Sequence, residues 1–330
     1  MAVMGQIVGN APNAAKLNLL QMVQQACNEL GLLAPSSVIG NTDQQVIQLL
    51  ALANREARDT FQEGTGIGGW QALRARYRFN VQSTGVQSVS VTTGSNIVDF
   101  LTIPATAPQI GWEVSVSNGS NAGIFTNGTT ITAINSPTEV VVSTNAMITS
   151  SNTTLAFGQA SYPFPADVDH LMPSTFWDRS MRWQIEGPLS PQDWQSLKSG
   201  IIVSGPRRRY RVMDGSFWLD PVPADNNQLE YEYYSYNYAM SASGAAQSRF
   251  LVDTDIYLLD DDTMIMGLIW RFRRAKGLDY AQEQDAWMNS VDRYKSRQAS
   301  AKNLPINATV LDYPQFIGVA NIPDTGFGIS

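Results

Sequence analysis

The stretch YPFPADVDHLMPSTFWDRSMRWQIEGPLSPQDWQSLKSG, residues 162–200, gathers aromatic residues, prolines and acids into one short block. Its density of proline, serine and aspartate predicts loops rather than long regular elements. Ser190, Pro191 and Asp193 have the order of an N-cap, a first helical residue and a capping acid, which predicts a short helix after them. The block holds no nucleophile–base pair, metal-ligand cluster or phosphate-binding loop, so it points to assembly rather than to chemistry.

A hairpin and a tyrosine-rich strand are predicted downstream of the block. Residues 209–213 and 216–220 flank the pair Asp214-Gly215, a favoured two-residue turn because both positions tolerate positive φ. Residues 229–238 form the next predicted strand and carry five tyrosines. Because side chains alternate along a strand, these tyrosines fall on both faces, which favours a core on one side and a subunit interface on the other over the alternative of carbohydrate stacking.

Two helices are predicted near the start of the chain from apolar residues at helical spacing. The first covers residues 13–33, with Asn13 as its N-cap. The second covers residues 42–62, where Thr42 and Gln45 have the spacing of a capping box. Both helices should bury one apolar stripe.

The last third of the chain predicts a long helix followed by an extended arm. The helix should start at Asp261 or Asp262, and its apolar face continues past Gly277. Residues 302–330 are apolar but show no helical period. A segment of that kind is too hydrophobic for ordinary disorder, which favours an extended arm that docks on a partner.

The composition changes abruptly at Val81. Residues 81–160 contain no lysine or arginine and only three acids. Short runs of β-branched residues alternate there with Asn, Gly, Ser and Pro, which predicts an all-β sandwich or a small barrel. A helical pattern precedes this segment and a block of different composition follows it, so residues 81–157 are interpreted as an inserted β-domain.

The overall composition limits the classes of function. A hydrophobic content of 43% and a net charge of -7 indicate a soluble globular protein and argue against a dedicated DNA binder, although not against a channel through which DNA passes. A charged content of 15% is low against an average of about 25%, so large surfaces are neutral or covered by partners. The single Cys27 excludes an internal disulfide, and no signal peptide or membrane span is predicted.

Candidate catalytic and metal-binding residues have simpler structural interpretations. His170 lies beside Asp169 but has no local serine or cysteine partner, which favours a loop histidine over a general base. The glycine-rich residues 64–69 follow a helix rather than a strand, which favours a helix stop over a dinucleotide loop. Five acids lack EF-hand spacing and are interpreted as capping residues rather than cation ligands. These acids are Asp253, Asp255, Asp260, Asp261 and Asp262. No catalytic residue, cofactor or metal is therefore predicted.

Basic residues concentrate in two clusters that could contact phosphates. Ion pairs within the chain or with a partner subunit are favoured over DNA contact, because the remainder of the chain is acid-rich. The clusters are Arg207, Arg208, Arg209 and Arg211, and Arg271, Arg273, Arg274 and Lys276.

Several motifs occur in an order that resembles one known family. Each motif alone is weak, but their order resembles the head-to-tail adaptor (tail tubular protein A-like, head-completion) family of tailed bacteriophages over the N-terminal helices and roughly residues 157–297. The motifs are WQALR (70–74), YPFPADVDHLMPSTFWDRS (162–180), GPLSPQDWQSLKSG (187–200), GPRRRYRVMDGSFWLDPVP (205–223), LEYEYYSYNYAM (229–240) and DTDIYLLDDDTMIMGLIWRFRRAKGLDYAQEQDAW (253–287).

The resemblance implies a ring of subunits, commonly twelve, under the portal of the virion. Implied partners are the portal ring, copies of this chain, the tail nozzle or tail tube protein and tail fibres. Double-stranded DNA would pass through the lumen of the ring without sequence recognition. The implied location is the head–tail junction after synthesis in the host cytoplasm, with no membrane partner. In simpler members the chain passes almost directly from the tryptophan-bearing helix to the YPFPAD-like block, so the β-rich segment departs from the pattern.

The sequence thus predicts a non-enzymatic α+β structural adaptor. We expect a helical-bundle core with a small antiparallel sheet (residues 1–80 and 158–300), an inserted sandwich-like β-domain (81–157) and an extended arm (301–330). The alternatives are a receptor- or glycan-binding tail component that uses the β-domain, and a hydrolase that uses His170. The predicted portal and subunit interface residues are Arg207, Arg208, Arg209, Arg271, Arg273, Arg274, Tyr234, Tyr236, Tyr238, Tyr313 and Phe316.

Overall fold

The computed structural model describes residues 16–65, 70–115, 123–198 and 208–298. This part of the chain mixes five α-helices with several antiparallel sheets, in agreement with the predicted α+β class. The helices are α1 (Leu19–Leu30), α2 (Gln44–Thr65), α3 (Pro191–Lys198), α4 (Asp261–Ala275) and α5 (Ala281–Gln298). The strands are β1 (Arg74–Asn80), β2 (Gln87–Val91), β3 (Ile97–Phe100), β4 (Glu113–Ser115), β5 (Ile131–Ser136), β6 (Glu139–Val142), β7 (Ser150–Gly158), β8 (Ser161–Pro163), β9 (Val168–Leu171), β10 (Trp177–Asp178), β11 (Trp183–Gln184), β12 (Arg209–Met213), β13 (Ser216–Asp220), β14 (Gln228–Ser235), β15 (Ala239–Met240), β16 (Ala246–Gln247) and β17 (Ile256–Tyr257).

The first structural region, called here the helical unit, contains α1, α2, α4, α5 and the three short strands β15–β17. Helix α4 packs against α1, α2 and α5 and is buried on most of its circumference. Leu19, Met22, Ala53, Met264 and Leu268 are fully buried in the apolar cluster that these helices share. Burial of this apolar surface is the main force that holds the four helices together.

The N-terminal helices begin at different residues from those predicted. Helix α1 begins at Leu19, because the side chains and backbone N–H groups of Asn18 and Gln21 bond each other in a complete capping box. The predicted N-cap, Asn13, lies outside the described residues. Helix α2 begins at Gln44 rather than at residue 42, since the Asp43 carboxylate accepts the Gln45 N–H at 2.8 Å.

The predicted long C-terminal helix is two helices. Helix α4 begins at Asp261, as predicted, with Asp260 as its N-cap, and Gly277 adopts a left-handed φ of 71° of the kind that ends helices. The chain then folds back, and Trp287 and Val291 of α5 join the apolar cluster. The sequence pattern does not show the turn between α4 and α5, because apolar residues recur at helical spacing in both helices and both apolar stripes face the same cluster.

The second region, called here the aromatic sandwich, consists of two antiparallel sheets that face each other. One sheet has β14 at its centre, with β1 along one edge and β10 and β9 along the other, and β11 beyond β10. The second sheet is β12-β13-β8, and its hairpin pairs in the predicted register around Asp214-Gly215. Rings from both sheets meet between them, including Tyr231, Phe176 and Phe217, with Phe176 and Tyr231 stacked 4.7 Å apart.

The third region, called here the barrel, is one six-stranded sheet formed entirely between residues 87 and 158. Its strand order is β4-β7-β2-β3-β6-β5. The sheet closes on itself, because the Val114 N–H donates to the Thr129 carbonyl and the Ile131 N–H to the Trp112 carbonyl, both at 2.8 Å. The predicted sandwich of two sheets is therefore wrong in detail. Alternating apolar residues line a closed barrel and an open sandwich equally well, so the sequence pattern does not separate them.

The barrel is connected to the remainder of the molecule by two chain segments that lie side by side. The Thr84 N–H donates to the Phe157 carbonyl at 2.8 Å, and the Gln159 N–H donates to the Gln82 carbonyl at 2.9 Å. Gly158 lies here because an added Cβ would come within 2.3 Å of the Pro223 carbonyl. Entry and exit points side by side are the geometry expected of an inserted domain, an interpretation that remains a prediction.

Candidate interaction surfaces

The cluster around Arg271 is internal rather than exposed. Its guanidinium pairs with Glu56 through Nε and with Asp59 through Nη2 at 2.8 Å, and Glu56 has no solvent-exposed surface. Thr60 and Trp287 also donate to Glu56, at 2.9 and 2.5 Å. Burial raises the pKa of Glu56, while Arg271 and these hydrogen bonds oppose the rise. In the isolated chain Arg271 therefore ties α2 to α4 and α5, which is the intramolecular pairing that the sequence analysis left open for this cluster, and its interface role stays a prediction.

Arg208 and Arg209, two further predicted interface residues, also pair within the chain. Arg208 lies 2.8 Å from Asp178 with only 12% of its side chain exposed, so it fastens the three-stranded sheet to the five-stranded one. Arg209 lies 3.4 Å from Glu186 and remains over a third exposed. Arg207 lies outside the described residues, as do Tyr313 and Phe316.

Arg273 and Arg274 lie at the solvent-facing end of α4. Arg273 pairs with Glu283 of α5 at 2.7 Å and is about one-third exposed. Arg274 is exposed and lies over the Tyr280 ring at 6.0 Å from its centroid. These two side chains can reach a partner without disrupting the core, so their predicted interface role remains a prediction that the geometry permits.

The tyrosine-rich strand is shorter than predicted, and its three candidate tyrosines lie in different places. Strand β14 ends at Ser235 with a register shift after Tyr234. Tyr234 is buried under Arg74 and stacks on His170 at 4.6 Å, whereas Tyr238 belongs to the helical unit and donates to Asn54. Tyr236 is 39% exposed and donates to the Ala166 carbonyl. Among these three, only Tyr236 presents much of its surface to solvent.

A cationic surface that the sequence reasoning missed lies on the outer side of the five-stranded sheet. Arg74, Arg76 and Arg78 alternate along β1 and so share one face, opposite Tyr234, Glu232 and Glu230 of β14. The signal was present in RARYRFN, residues 74–80, where arginines alternate with Ala, Tyr and Phe, but no strand was predicted there. We call this surface the arginine face; its charged members are Arg74, Arg76, Arg78, Arg179, Glu230 and Glu232.

Glu230 organises the arginine face. Its side chain is 2% exposed, and Arg78, Arg179 and Arg76 approach it at 2.5, 2.7 and 3.4 Å while each stays at least half exposed. Burial alone would raise the pKa of Glu230, but hydrogen bonds from Arg179 and Arg78 outweigh it and hold the pKa below its ordinary value. The carboxylate is therefore ionised at neutral pH and holds three guanidinium groups in position.

Lys198 connects α3, the barrel and the aromatic sandwich. Its ammonium lies 2.7 Å from Glu113 of β4 and 2.8 Å from Asp220 of β13. Burial alone would lower the pKa of Lys198, but the two carboxylates outweigh this effect and raise it. Ser115 adds a hydrogen bond to the Val222 carbonyl at 2.8 Å. These contacts hold the barrel against the sandwich.

His170 lies on strand β9 rather than in a loop, at the edge of an open groove of about 540 Å³. Its Nδ1 is 2.6 Å from Asp169, and both side chains are over one-third exposed. Phe164, Val168 and Pro188 contribute apolar surface to the groove, and none of its described lining residues carries a hydroxyl or thiol. The described lining of the groove thus supplies no hydroxyl or thiol nucleophile beside His170 for the hydrolase alternative.

The predicted capping acids bond backbone N–H groups. Asp253 accepts from Val38 and Ile39, Asp255 accepts from Leu251 and Val252, and Asp260 caps α4. The bonds to Asp253 and Asp255 close loops rather than helix ends. Within the described ranges no group of three or more His, Cys, Asp or Glu side chains is arranged to hold a metal ion.

Comparisons with known proteins identify the family. The family model described as SU10 adaptor protein matches residues 129–305, which covers the last three barrel strands, the aromatic sandwich from β8 onward, and helices α3 to α5. No curated protein matches the chain significantly. Among the described residues no helix has the length and apolar character needed to cross a membrane. Because the match spans more than half of its length, the chain belongs to the SU10 adaptor protein family and is a phage structural adaptor protein.

Proposed function

We propose that this protein is the ring-forming adaptor between head and tail of a phage virion. It docks under the portal, forms part of the DNA channel and provides the platform on which the tail is attached. The observation that carries the proposal is membership of the adaptor family across residues 129–305. The portal, further copies of the chain and a tail protein are its proposed partners, and its mechanism is assembly rather than bond-making or bond-breaking.

The internal ties of the molecule support this role. Glu56–Arg271, Arg208–Asp178 and Lys198 with its two carboxylates each join elements that are distant in the sequence. Interfaces that transmit load between a capsid and a tail need a subunit whose elements keep their relative positions, and charged contacts shielded from water favour one arrangement over others. Arg273, Arg274 and Tyr236 remain exposed on this framework as proposed contact residues.

The proposal is tested by mixing the purified chain with the portal ring of its own phage and imaging the product by cryo-electron microscopy. We expect a ring of this chain, proposed as twelve copies, seated on the tail-facing end of the portal with a continuous central channel. Particles from a phage that lacks the gene should lose their genome or fail to acquire tails. Tailed, genome-filled particles without this protein would contradict the proposal.

The barrel allows a direct comparison with the alternative of a receptor- or glycan-binding component. Residues 82 and 159 are hydrogen-bonded neighbours, so a short linker can replace the chain between them. If the ring function is correct and the barrel lies on the outer rim, the shortened chain still binds the portal. If the barrel is instead the binding module of a tail component, the full-length chain binds cells or glycans and the shortened chain does not. In that case neither the full-length nor the shortened chain forms a ring.

A further inference from the structure

The arginine face carries a positive excess that its own acids do not neutralise. Four arginines against two glutamates leave two positive charges. One carboxylate offers about four acceptor sites, whereas three guanidinium groups present about fifteen N–H donors, so Glu230 satisfies only a fraction of them. Because Arg76, Arg78 and Arg179 each keep at least half of their side-chain surface exposed, the remaining donors are open to a partner.

The geometry of the face suits a partner with carboxylates or phosphates. Guanidinium groups recognise both through paired N–H donors, and a group already held in place loses less entropy on binding. Glu230 holds Arg78 and Arg179, and Arg74 is fixed by a hydrogen bond of 3.2 Å to the Tyr234 hydroxyl. The face is therefore preorganised on the backbone of a sheet rather than carried by a loop.

The charge of the whole chain favours a second copy over DNA as this partner. The net charge is -7, so everything outside the arginine face carries -9. A polyanion approaching the face is repelled by the rest of the molecule, whereas a second copy of the chain offers an acid-rich surface to it.

Helix α5 presents such a surface. Trp287 and Val291 face the core, which leaves Asp285, Met288 and Asp292 on the opposite, solvent-facing side at i, i+3 and i+7. We call these three residues the α5 acidic stripe. The Asp292 side chain is 75% exposed although Lys295 lies 3.8 Å from it, and Met288 is 44% exposed. The two aspartates lie about 10 Å apart along the helix, comparable to the roughly 13 Å from Arg74 to Arg78 along β1.

We propose that the arginine face of one copy binds the α5 acidic stripe of the next copy. The inference rests on the proposed ring function and names the surfaces that join its subunits. Two different surfaces meeting head to tail form a heterologous interface, which produces a closed ring when the rotation between copies closes. Met288, at the centre of the stripe, supplies the apolar contact that such interfaces favour.

The test reverses one charge on the arginine face and one charge on the α5 acidic stripe, each in the full chain. The two reversals are then combined in one variant, so that the charges are exchanged between the two surfaces. Of the three arginines paired with Glu230, Arg76→Glu changes the most distant, and Asp285→Arg changes an exposed helix position with no buried carboxylate beside it. Self-association is measured by sedimentation velocity at low and physiological salt, and ring formation is imaged on the portal. Arg249→Glu, an exposed arginine outside both surfaces, is the matched control, and melting temperatures establish that each variant is folded.

We expect each single reversal to weaken self-association at least about tenfold, since like charges placed opposite each other are strongly unfavourable. The double variant Arg76→Glu/Asp285→Arg should recover most of the loss, and Arg249→Glu should behave as the unchanged chain. Rings that form equally well with both single variants would overturn this inference and leave the proposed function intact. Failure of the exchange to restore association overturns it as well.

Two further outcomes complete the test. If Arg76→Glu abolishes binding to duplex DNA while self-association is unchanged, the face binds a polyanion and the second-copy assignment is wrong. If the unchanged chain forms no ring with or without the portal, the proposed function fails, and this inference fails with it.

Discussion

The helical unit and the barrel are stabilised in different ways. The helical unit encloses a charged cluster, in which Glu56 has no exposed surface and Arg271 is 7% exposed, among apolar helix faces. The core of the barrel is an apolar cluster. The buried acid of the barrel, Glu113, pairs with Lys198 at the boundary with the aromatic sandwich. Both regions thus depend on apolar packing, to which the helical unit adds a buried charged cluster that must stay matched and the barrel adds a closed ladder of hydrogen bonds.

The difference shows which contacts are local and which are long-range. The barrel strands all lie between residues 87 and 158, so the barrel gathers its own hydrophobic cluster from a contiguous segment. Glu56 and Arg271 are separated by 215 residues, and their pairing requires α2 and α4 to be in place first. A buried ion pair contributes little net stability compared with apolar residues of the same size, but removing one partner leaves an uncompensated charge.

The largest expected effect therefore comes from breaking the charged cluster. Arg271→Ala leaves the Glu56 carboxylate buried without a cation, and we expect the free energy of unfolding of the helical unit to fall by about 4 kcal/mol. Urea unfolding followed by far-ultraviolet circular dichroism measures the loss.

Arg274→Ala, an exposed position one turn away on the same helix, is the control and should change stability by less than about 0.5 kcal/mol. The double variant Glu56→Gln/Arg271→Met removes both charges and should be more stable than Arg271→Ala alone. Equal stability of the two variants would show that the cluster does not depend on charge matching.

A cavity in the barrel should have a smaller and more local effect. Leu155 is 1% exposed within the apolar cluster, so Leu155→Ala should destabilise the barrel by about 3 kcal/mol through lost burial and the cavity left behind. Trp112 is the only tryptophan between residues 81 and 160 and is buried in the same cluster, so the difference in fluorescence between the unchanged chain and Trp112→Phe, which keeps the other tryptophans, reports on the barrel.

Ile134→Ala, at a 41% exposed position on β5, is the matched control. If the helical unit loses its circular dichroism signal at the same urea concentration as the barrel loses its Trp112 signal, the two regions unfold together and the barrel is not an independent unit.

The smallest expected effect lies at the junction between the regions. Lys198→Met leaves Glu113 and Asp220 without their shared cation and should cost about 2 kcal/mol, less than a fully buried pair because Lys198 is 20% exposed. The pKa of Lys198 in the folded protein is raised above its ordinary value of 10.5. Its stabilising contribution is therefore complete below pH 10.5 and decreases as the pH rises through the raised value.

The difference in stability between the unchanged protein and Lys198→Met, measured by urea unfolding, should thus stay constant up to about pH 10 and shrink as the pH rises above 10.5 through the raised pKa. Lys198→Arg keeps the charge and should retain part of the stability. A difference that does not change with pH would mean that the ammonium group does not act as a charge at this junction.

Local signals explain the elements that were predicted correctly. The hairpin around Asp214-Gly215 and helix α3 after Ser190 depend on residues within a few positions of each other, and the Asp193 N–H donates to the Ser190 hydroxyl as expected. The start of α1 was missed because Asn13 and Asn18 are both good caps, and the reciprocal bonds with Gln21 decide between them. The arginine face was missed because no strand was predicted over residues 74–80, so the alternation of their side chains was not considered.

The sequence alone determined the α+β class, the change of composition that marks the barrel, and the order of motifs that identifies an adaptor. Those properties depend on neighbouring residues and on composition, and both are visible in the chain itself. Only the tertiary structure decided that Arg271 and Arg208 pair internally, that the β-rich sheet closes, and that Arg76, Arg78 and Arg179 gather around Glu230. The partner of a buried charged side chain is set by the packing of elements that are distant in the sequence. The spacing of residues along the chain does not show which of these elements lie next to each other.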